Sequence, residues 1–332
     1  MKAMKAVFYE RKGPAREVLQ VGDLPVPEPG PGEVLVRVHT SAVNPSDTKT
    51  RGGWGGATAM PFPRIVPHQD GAGVIERVGD GVDAGRVGER VWLYEAQWQR
   101  PFGTAAEFVV VPAAQAVRLP ETTSFAEGAC LGIPAMTAHR AVFADGSVAG
   151  KTVLVTGGAG AVGHYAVQLA RWGGATVIAT VSGERKADAA RAAGANAVVN
   201  YRTEDVAERI LDLTGGRGVD RIVEVAFAAN LPVTARVMAP DGVVAAYASD
   251  TDAEPPVPFR PFMLKNVTIR FVLVYTMPRA AKEAAIGDIT LLLEQRGLAH
   301  RIARELPLED VAEAHEIVER GDRIGCVVLR VG

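Results

Sequence analysis

The sequence predicts an α/β protein of two domains, in which a β-rich part is joined to a doubly wound parallel sheet flanked by helices. The chain has 332 residues, which is long for a single hydrophobic core. Its first part consists of short apolar runs between turns, and after about residue 122 strand patterns alternate with helical ones. A glycine-rich loop joins a strand to a helix within residues 152–172. These three observations indicate the fold class.

The β-rich part extends from residue 4 to about residue 112. Clusters of proline and glycine, such as residues 25–32, punctuate it. The apolar runs between them lie at residues 6–9, 34–38, 73–78 and 107–111. Many short strands separated by turns are typical of a small barrel or sandwich.

The alternating part begins with a strand at 152–156 and a helix that runs to residue 172. A second strand at 176–181 precedes a helix at 184–193. Such alternation predicts βαβ units and a parallel sheet. Later elements are strands at 197–199, 221–225, 243–247 and 267–275, helices at about 279–296 and 308–319, and a last strand at 327–330.

Composition limits the class of protein. The formal net charge is -2, and neither a lysine- and arginine-rich run nor an apolar signal region is present. We therefore expect a cytoplasmic protein, without a nucleic acid or a membrane as its main partner. Cys130 and Cys326 are far apart in the sequence, and we expect each to be alone, without a disulfide framework or a CxxC metal site.

A GxGxxG pattern, at Gly158, Gly160 and Gly163 with Ala161 and Val162 inside it, lies between a predicted strand and a predicted helix. Gly158 would permit a tight turn, Gly160 would let the backbone approach a pyrophosphate, and Gly163 would allow close helix–strand packing. The phosphates would then meet free N–H groups at a helix N-terminus. Because the chain has 36 glycines, a merely glycine-rich turn is the alternative.

The end of the second strand bears on which dinucleotide binds. NAD-binding folds place a carboxylate near this tip to hold the ribose hydroxyls, and no Asp or Glu stands there. Ser182, Arg185 and Lys186 could instead bond a 2′-phosphate, so the sequence favours NADPH. Glu184 is the opposing signal, and a solvated helix start is the alternative.

With these residues in hand, the chain resembles the medium-chain dehydrogenase/reductase superfamily, in its zinc-independent, zeta-crystallin-like quinone oxidoreductase branch. The resemblance implies a GroES-like catalytic domain at 1–122 and 276–332, and a Rossmann NADP-binding domain at 123–275. The matching segments are residues 32–38, 43–47, 71–79, 132–138, 153–163, 198–201, 218–220 and 306–315.

The resemblance also addresses metal binding. In zinc-dependent members of the superfamily, three ligand positions match Asn44, Gln69 and Ile133 of this chain. A catalytic zinc needs three nitrogen, sulfur or carboxylate ligands from the protein, and these residues do not supply them. His68 is next to one position, and we expect it to be a loop or interdomain histidine. No metal is expected.

The resemblance implies roles for several side chains. Asn44 and Thr137 would lie near the nicotinamide, and Ser182, Lys186 and Tyr201 would contact the adenosine end. The alternatives are that Asn44 is a turn residue, that Thr137 caps a helix, and that Tyr201 is an ordinary aromatic residue at a strand end.

Two residues differ from those that related reductases often have, and they leave the identity of the acceptor open. Lys49 stands where related reductases often have a tyrosine, and Cys326 stands where they often have a lysine. Trp92 is expected in the core. An aromatic slot for a flat acceptor would be formed near Lys49 by Trp54, Tyr94, Trp98 and Phe102.

The function expected is hydride transfer from NADPH to a quinone or another activated acceptor. Reduction of an enoyl thioester or another α,β-unsaturated carbonyl is the nearest alternative. A non-catalytic, RNA-contacting NADPH-binding protein is the alternative from another class. We also expect a homodimer that pairs the apolar strand 267–275 across a two-fold axis.

Overall fold

The computed structural model describes residues 3–249 and 251–332. Its strands are β1 Ala3–Phe8, β2 Gln20–Pro25, β3 Glu33–Val43, β4 Asp70–Val78, β5 Arg90–Leu93, β6 Phe108–Pro112, β7 Ala116–Arg118, β8 Thr152–Val155, β9 Thr176–Val181, β10 Ala197–Asn200, β11 Val219–Glu224, β12 Met238–Ala246, β13 Thr268–Phe271, β14 Ile302–Pro307 and β15 Cys326–Arg330. Its α-helices are α1 Ala15–Val18, α2 Pro45–Gly52, α3 Phe125–Gly128, α4 Gly132–Phe143, α5 Ala161–Trp172, α6 Glu184–Ala192, α7 Val206–Leu213, α8 Phe227–Val237, α9 Phe259–Met263, α10 Arg279–Glu294 and α11 Val311–Arg320.

The chain folds into two compact units. The first contains the residues up to Ile133 together with Ile286–Gly332, and the second is Pro134–Ala285. The first unit is β-rich and the second alternates strands and helices, so the predicted α/β class is confirmed. The chain passes between the units inside α4 and α10, which differs from the predicted domain limits after residues 122 and 275.

The first unit is built on a seven-stranded sheet. Its path is β14-β15-β3-β4-β5-β7, and β6 pairs with β3 outside that path. The eleven-residue β3 pairs with β4, β6 and β15. Tight pairing demands a glycine at position 73, because a Cβ there would lie 2.0 Å from the carbonyl oxygen of Arg37. The strand order brings β14 and β15, near the end of the sequence, into one sheet with β3 to β7.

The second unit contains a six-stranded parallel sheet with the order β10-β9-β8-β11-β12-β13. Counted within this unit, that order is 3-2-1-4-5-6, the Rossmann arrangement. Strands such as β8 are mostly apolar and buried on both faces, as expected of a parallel sheet covered by helices. The order reverses between β8 and β11, and ligands bind at the carboxyl ends of the strands beside such a point.

The predicted strand 267–275 is too long. The structure has β13 only at Thr268–Phe271, and Val274–Thr276 form a 3-10 turn. The reason is the partner strand, since β12 ends at Ala246, which accepts the last bond from Val272 N–H at 2.8 Å. β13 is nevertheless the edge of its sheet.

Across residues 3–249 and 251–332, none of the helices is long and apolar enough to cross a membrane.

Candidate functional site

The loop after β8 has little room for side chains at its glycines. Gly157 has a φ of +64°, in the left-handed region that favours glycine. A Cβ at Gly158 would lie 2.7 Å from the Cβ of Ala179 in β9, and one at Gly163 would lie 2.2 Å from the carbonyl oxygen of Gly157. The tight turn expected at Gly158 therefore lies at Gly157, while Gly158 allows close packing against β9.

This loop leads directly into the N-terminus of α5. Gly160 is the N-cap of the helix. The N–H groups of the first turn have no earlier carbonyl of the helix to bond, and the helix dipole adds positive potential there. A pyrophosphate is the kind of group that such an end binds. The first-turn groups belong to Ala161, Val162 and Gly163.

The tip of β9 carries the charges that the sequence singled out. Ser182 follows the strand, and α6 begins at Glu184. The Glu184 carboxylate pairs with Arg191 of the same helix at 2.7 Å. Arg185 and Lys186 form no ion pair with another residue of the described chain. The tip of β9 therefore carries two cations, Arg185 and Lys186. The Glu184 carboxylate beside them points along α6 towards Arg191.

A crevice of about 430 Å³ opens at the carboxyl ends of the parallel strands. Tyr201 is half exposed at its rim, and its N–H bonds the carbonyl of Val181 at the end of β9 at 3.0 Å. The predicted Tyr201 therefore lies beside the strand tip that carries Ser182. The lining residues come from the ends of β8, β9 and β11 and from α7 and α8, and include Thr156, Gly157, Thr180, Val206, Glu224 and Asn230.

Glu224, at the end of β11, is a crevice residue that the sequence analysis missed. It is wholly buried, and its Oε1 accepts hydrogen bonds from the Thr156 hydroxyl at 3.0 Å and the Asn230 amide at 2.8 Å. Its Oε2 has no hydrogen-bond partner in the described chain. Burial raises the pKa of this carboxyl. Glu224 thus ties β8, β11 and α8 together beneath the crevice; an acidic residue inside the apolar run 222–225 was the available signal.

These parts fit the ADP portion of a nicotinamide dinucleotide. The N-terminus of α5 would receive the pyrophosphate, and the crevice beside Tyr201 would receive the adenosine.

In the first unit, Asn44 lies in a buried polar cluster. It is the N-cap of α2 and 4% exposed. Its amide Nδ2 donates to the Asp70 carboxyl at 2.8 Å, and its backbone N–H donates to the Asp47 carboxyl at 2.7 Å. Asn44 is thus the N-cap of a helix, where the alternative had a turn residue, and its side chain is also held by Asp70.

The two acids around Asn44 are unusual because both are buried. Asp70 also accepts from the N–H of Ile133 at 2.8 Å. Burial raises the pKa of Asp47 to about 7. Burial, together with the nearby Asp47, raises the pKa of Asp70 well above its usual range. Sequence reasoning missed both acids, although each lies within three residues of a position it discussed.

The three positions considered for zinc bring no ligand set together. Gln69 exchanges hydrogen bonds with Gln97, from its Nε2 to Gln97 Oε1 and from Gln97 N–H to its Oε1, each at 3.1 Å. Ile133 has a hydrocarbon side chain, and the Asn44 nitrogen is engaged by Asp70. The described part of the chain holds no cluster of three or more His, Cys, Asp or Glu side chains suited to a metal.

His68 lies in the loop before β4, as expected, but it is not at the surface. It is wholly buried inside the first unit, where it bonds Ser41 at 2.9 Å and His315 at 2.8 Å. Its φ is +81°, an uncommon value for a residue with a side chain.

Thr137 and the aromatic residues occupy different settings. Thr137 is buried inside α4, so it is not a helix cap. Trp54 is 64% exposed, with the Lys49 ammonium 5.4 Å from its ring centre. Tyr94 is buried, and its hydroxyl bonds the carbonyl of Ala114 at 3.1 Å, so the structure does not bring it into an exposed slot with Trp54.

Three other predicted side chains can be located. Trp92 is wholly buried, as expected of a core residue. Trp98 is half-buried, and Phe102 is exposed.

The two cysteines are not alone. Both are free and buried, and the Cys130 thiol donates to the carbonyl of Ala126 at 3.3 Å. The neighbouring Cys326 thiol, together with burial, raises the pKa of Cys130 well above its usual range. The expectation of two isolated thiols is therefore wrong, because the sheet order brings β15 beside the segment before α4.

Two family profiles match the chain. One describes an alcohol dehydrogenase GroES-like domain and covers residues 30–121. The other describes a zinc-binding dehydrogenase and covers residues 161–289. Together they span both units.

Curated relatives match almost from end to end. Quinone oxidoreductase of Rattus norvegicus is 33% identical over 335 residues, covering 99% of this chain and 98% of that protein. A 2-haloacrylate reductase of a Burkholderia species is 31% identical and covers 98% of each chain.

Solved structures agree in fold. One described as an NAD-dependent alcohol dehydrogenase has a TM-score of 0.90 and 32% identity, covering 99% of this chain and all of the other. A mycobacterial protein solved with NADPH has a TM-score of 0.86 and 27% identity, covering 98% and 99%. The chain is therefore an oxidoreductase of the medium-chain dehydrogenase/reductase family and belongs to its quinone oxidoreductase-like group.

Proposed function

We propose that the protein transfers a hydride from NADPH to a quinone or another activated unsaturated acceptor, and that it does so without a catalytic zinc. The main supporting observation is the combination of the α5 N-terminus with a β9 tip that carries Arg185 and Lys186 and no carboxylate aimed across it. Full-length relatives described as quinone oxidoreductase and 2-haloacrylate reductase support the acceptor class.

NADPH, when bound, supplies the hydride, while the protein supplies position and hydrogen bonds. The first-turn N–H groups of α5 bind the pyrophosphate. Ser182, Arg185 and Lys186 hold the 2′-phosphate, since charged donors bond phosphate oxygens strongly, and Tyr201 covers the adenosine. The mycobacterial relative solved with NADPH supports this choice, whereas the similar structure described as NAD-dependent is a reason to measure it.

The acceptor must already be electrophilic. Asn44, Gln69 and Ile133 offer two amides and a hydrocarbon where a Lewis-acid metal would need three ligands. A quinone, or a double bond next to a carbonyl, accepts a hydride at carbon or oxygen without such help. We assign Asn44 and Thr137 to positions near the nicotinamide, and Lys49 and Trp54 to the acceptor pocket.

The proposed assembly is a homodimer in the cytoplasm. β13 is a sheet edge, and apolar side chains beside it are exposed: Phe271 is 71% exposed and Leu273 is 45% exposed. A bare edge of this kind pairs readily with a second copy. This apolar edge remains although β13 is shorter than predicted, because Leu273 lies just beyond the end of the strand.

An acceptor screen tests the proposal. The purified protein would be given NADPH with a benzoquinone, a simple enone, a 2-haloacrylate or an enoyl thioester, and cofactor oxidation would be followed by absorbance. The proposal expects turnover with the quinone or an unsaturated carbonyl. Turnover with the thioester alone would favour the enoyl-reductase alternative. NADPH binding without oxidation by any acceptor would favour a non-catalytic binding protein.

A further inference from the structure

Two histidines that have no part in the proposed chemistry are paired in the interior of the first unit. His68 and His315 are each 0% exposed, and their Nε2 atoms are 2.8 Å apart. They are far apart in the sequence, with His68 just before β4 and His315 in α11. Two ring nitrogens can share such a contact only if one is protonated and the other is not.

The neighbours of the pair fix which nitrogen holds each proton. Arg51 has only donors, and its Nε donates to His315 Nδ1 at 3.3 Å. Nδ1 of His315 is therefore bare, and Nε2 bears the proton. That proton is donated to Nε2 of His68, so Nδ1 of His68 must be the protonated nitrogen.

The same logic continues beyond His68. Its Nδ1–H donates to the Ser41 hydroxyl at 2.9 Å. The Ser41 hydroxyl donates to Thr104 Oγ1 at 2.7 Å, because the Thr104 hydroxyl itself donates to the main-chain carbonyl of Asp70 at 2.6 Å. Every hydrogen bond from Arg51 to Asp70 thus points the same way.

Both rings are neutral, which this one-way order requires. Burial lowers the pKa of His68 to about 3. Burial, the neighbouring ring and the charge of Arg51 lower the pKa of His315 well below its usual range. Arg51 is itself 1% exposed and forms an ion pair with Glu319 of α11. The first donor of the hydrogen-bond chain is therefore held in place.

The last acceptor of the hydrogen-bond chain belongs to Asp70, the residue whose side chain binds the Asn44 amide. Thr104 bonds the carbonyl of Asp70, while the Asp70 side chain accepts from Asn44 Nδ2 and from the N–H of Ile133. His68 has a φ of +81°, immediately before this segment. Residues held in such backbone conformations persist where the surroundings fix them.

We infer that His68 and His315 are positioning residues: their one-way chain of hydrogen bonds, running from Arg51 to the Asp70 carbonyl, fixes the segment that orients the Asn44 amide. The kinetic part of this inference rests on the proposed function, in which Asn44 lies near the nicotinamide. The direction of the chain does not depend on it.

The first experiment reads the tautomers by nitrogen NMR of protein with labelled histidine. His315→Gln assigns the His315 ring and keeps an amide donor for His68. We expect His315 protonated at Nε2 and His68 protonated at Nδ1 in the wild type. Any other combination would overturn the inferred direction.

The second experiment compares Thr104→Val, which removes the hydroxyl at nearly constant shape, with Thr104→Ser, which keeps it. The readouts are the side-chain amide resonance of Asn44, kcat, and the KM for NADPH. We expect Thr104→Val to shift the Asn44 resonance and to lower kcat roughly ten- to a hundredfold, with little change in that KM. Thr104→Ser should behave as the wild type in all three.

Each result decides a separate point. Equal behaviour of the two variants, with Asn44 unshifted, would make the chain purely structural. If the wild type reduces no acceptor, the proposed function fails, and the Asn44 resonance still tests the positioning. If Thr104→Val does not fold, Ser41→Ala interrupts the same chain and takes its place.

Discussion

Glu184 pairs with Arg191, with 2.7 Å between their side-chain Oε1 and Nη1 atoms, on the same face of α6. Such an exposed pair contributes little to stability, but the geometry turns the carboxylate away from the tip of β9. A carboxylate at that tip would repel a 2′-phosphate, and here the tip carries Arg185 and Lys186. The relationship therefore bears directly on the choice between NADPH and NADH.

We predict that Lys186→Ala weakens NADPH binding about ten- to a hundredfold, because a hydrogen bond to a charged group contributes roughly 1.5–3 kcal/mol. NADH binding should be nearly unchanged, since NADH has no 2′-phosphate. The measurement is kcat/KM for both cofactors. Lys151→Ala, an exposed lysine before β8, is the matched control. Equal losses for the two cofactors, or a wild type that prefers NADH, would contradict this reading and direct attention to Glu184.

Histidine burial predicts acid sensitivity. The folded-state pKa values of His68 and His315 are lowered, so below about pH 6.5 the unfolded chain binds protons that the folded chain does not. The free energy of unfolding should therefore fall as the pH drops from about 6.5 towards 3, by at most about 1.4 kcal/mol per unit for each histidine.

His315→Gln isolates this effect in denaturant unfolding followed from pH 7 to pH 4. The variant should be less stable at pH 7 and lose less stability on acidification than the wild type. Asp47 acts in the opposite direction, since its raised pKa of about 7 makes stability fall as the pH rises from about 4 to 7. The difference between variant and wild type removes that contribution, and parallel curves would refute the histidine assignment.

The sheet edge predicts the assembly. The wild type should be a dimer at micromolar concentration in light scattering. Phe271→Asp should make it a monomer without large loss of thermal stability, because the ring is 71% exposed in the single chain and a charge on an edge opposes strand pairing. Val87→Asp, at a residue 51% exposed in the first unit, is the control. A wild-type protein that is monomeric at micromolar concentration would contradict the predicted dimer.

The donor types around Asn44 predict zinc independence. Elemental analysis of the purified protein should find no stoichiometric zinc, and activity should survive a strong chelator, because Gln69 and Gln97 satisfy each other and Ile133 has no donor atom in its side chain. One tightly bound zinc per chain, with activity lost on its removal, would contradict this prediction.

Local patterns were enough to predict where the glycine loop, the β9 tip and Tyr201 lie, while their role in binding a nucleotide stays a prediction. The glycine loop, the β9 tip and Tyr201 lie close to strand ends whose order follows from alternating βαβ units, so their neighbourhood could be read from short segments. Which glycine makes the turn was misassigned, because neither the positive φ of Gly157 nor the packing of Gly158 against Ala179 can be read from two adjacent glycines. Such details depend on tertiary contacts.

The polar interior of the first unit could not be predicted. His68 meets His315, and Cys130 lies near Cys326, because β15 pairs with β3 and α11 lies in the same unit. No local period encodes a contact between residues so far apart in sequence. The predicted length of β13 was wrong for a related reason. Its apolar sequence continues beyond Phe271, but its partner strand β12 ends at Ala246.

Deuterium transfer tests whether NADPH gives a hydride to an activated acceptor in this protein. The protein would be incubated with an enone and NADPH deuterated at C4 of the nicotinamide on the face from which hydride leaves, both deuterated epimers being tested. We predict that one epimer delivers its deuterium to the β-carbon of the saturated product, as mass spectrometry and NMR would show. Saturated product without deuterium from either epimer would contradict this prediction, as would NADPH binding without reduction of either the enone or a quinone.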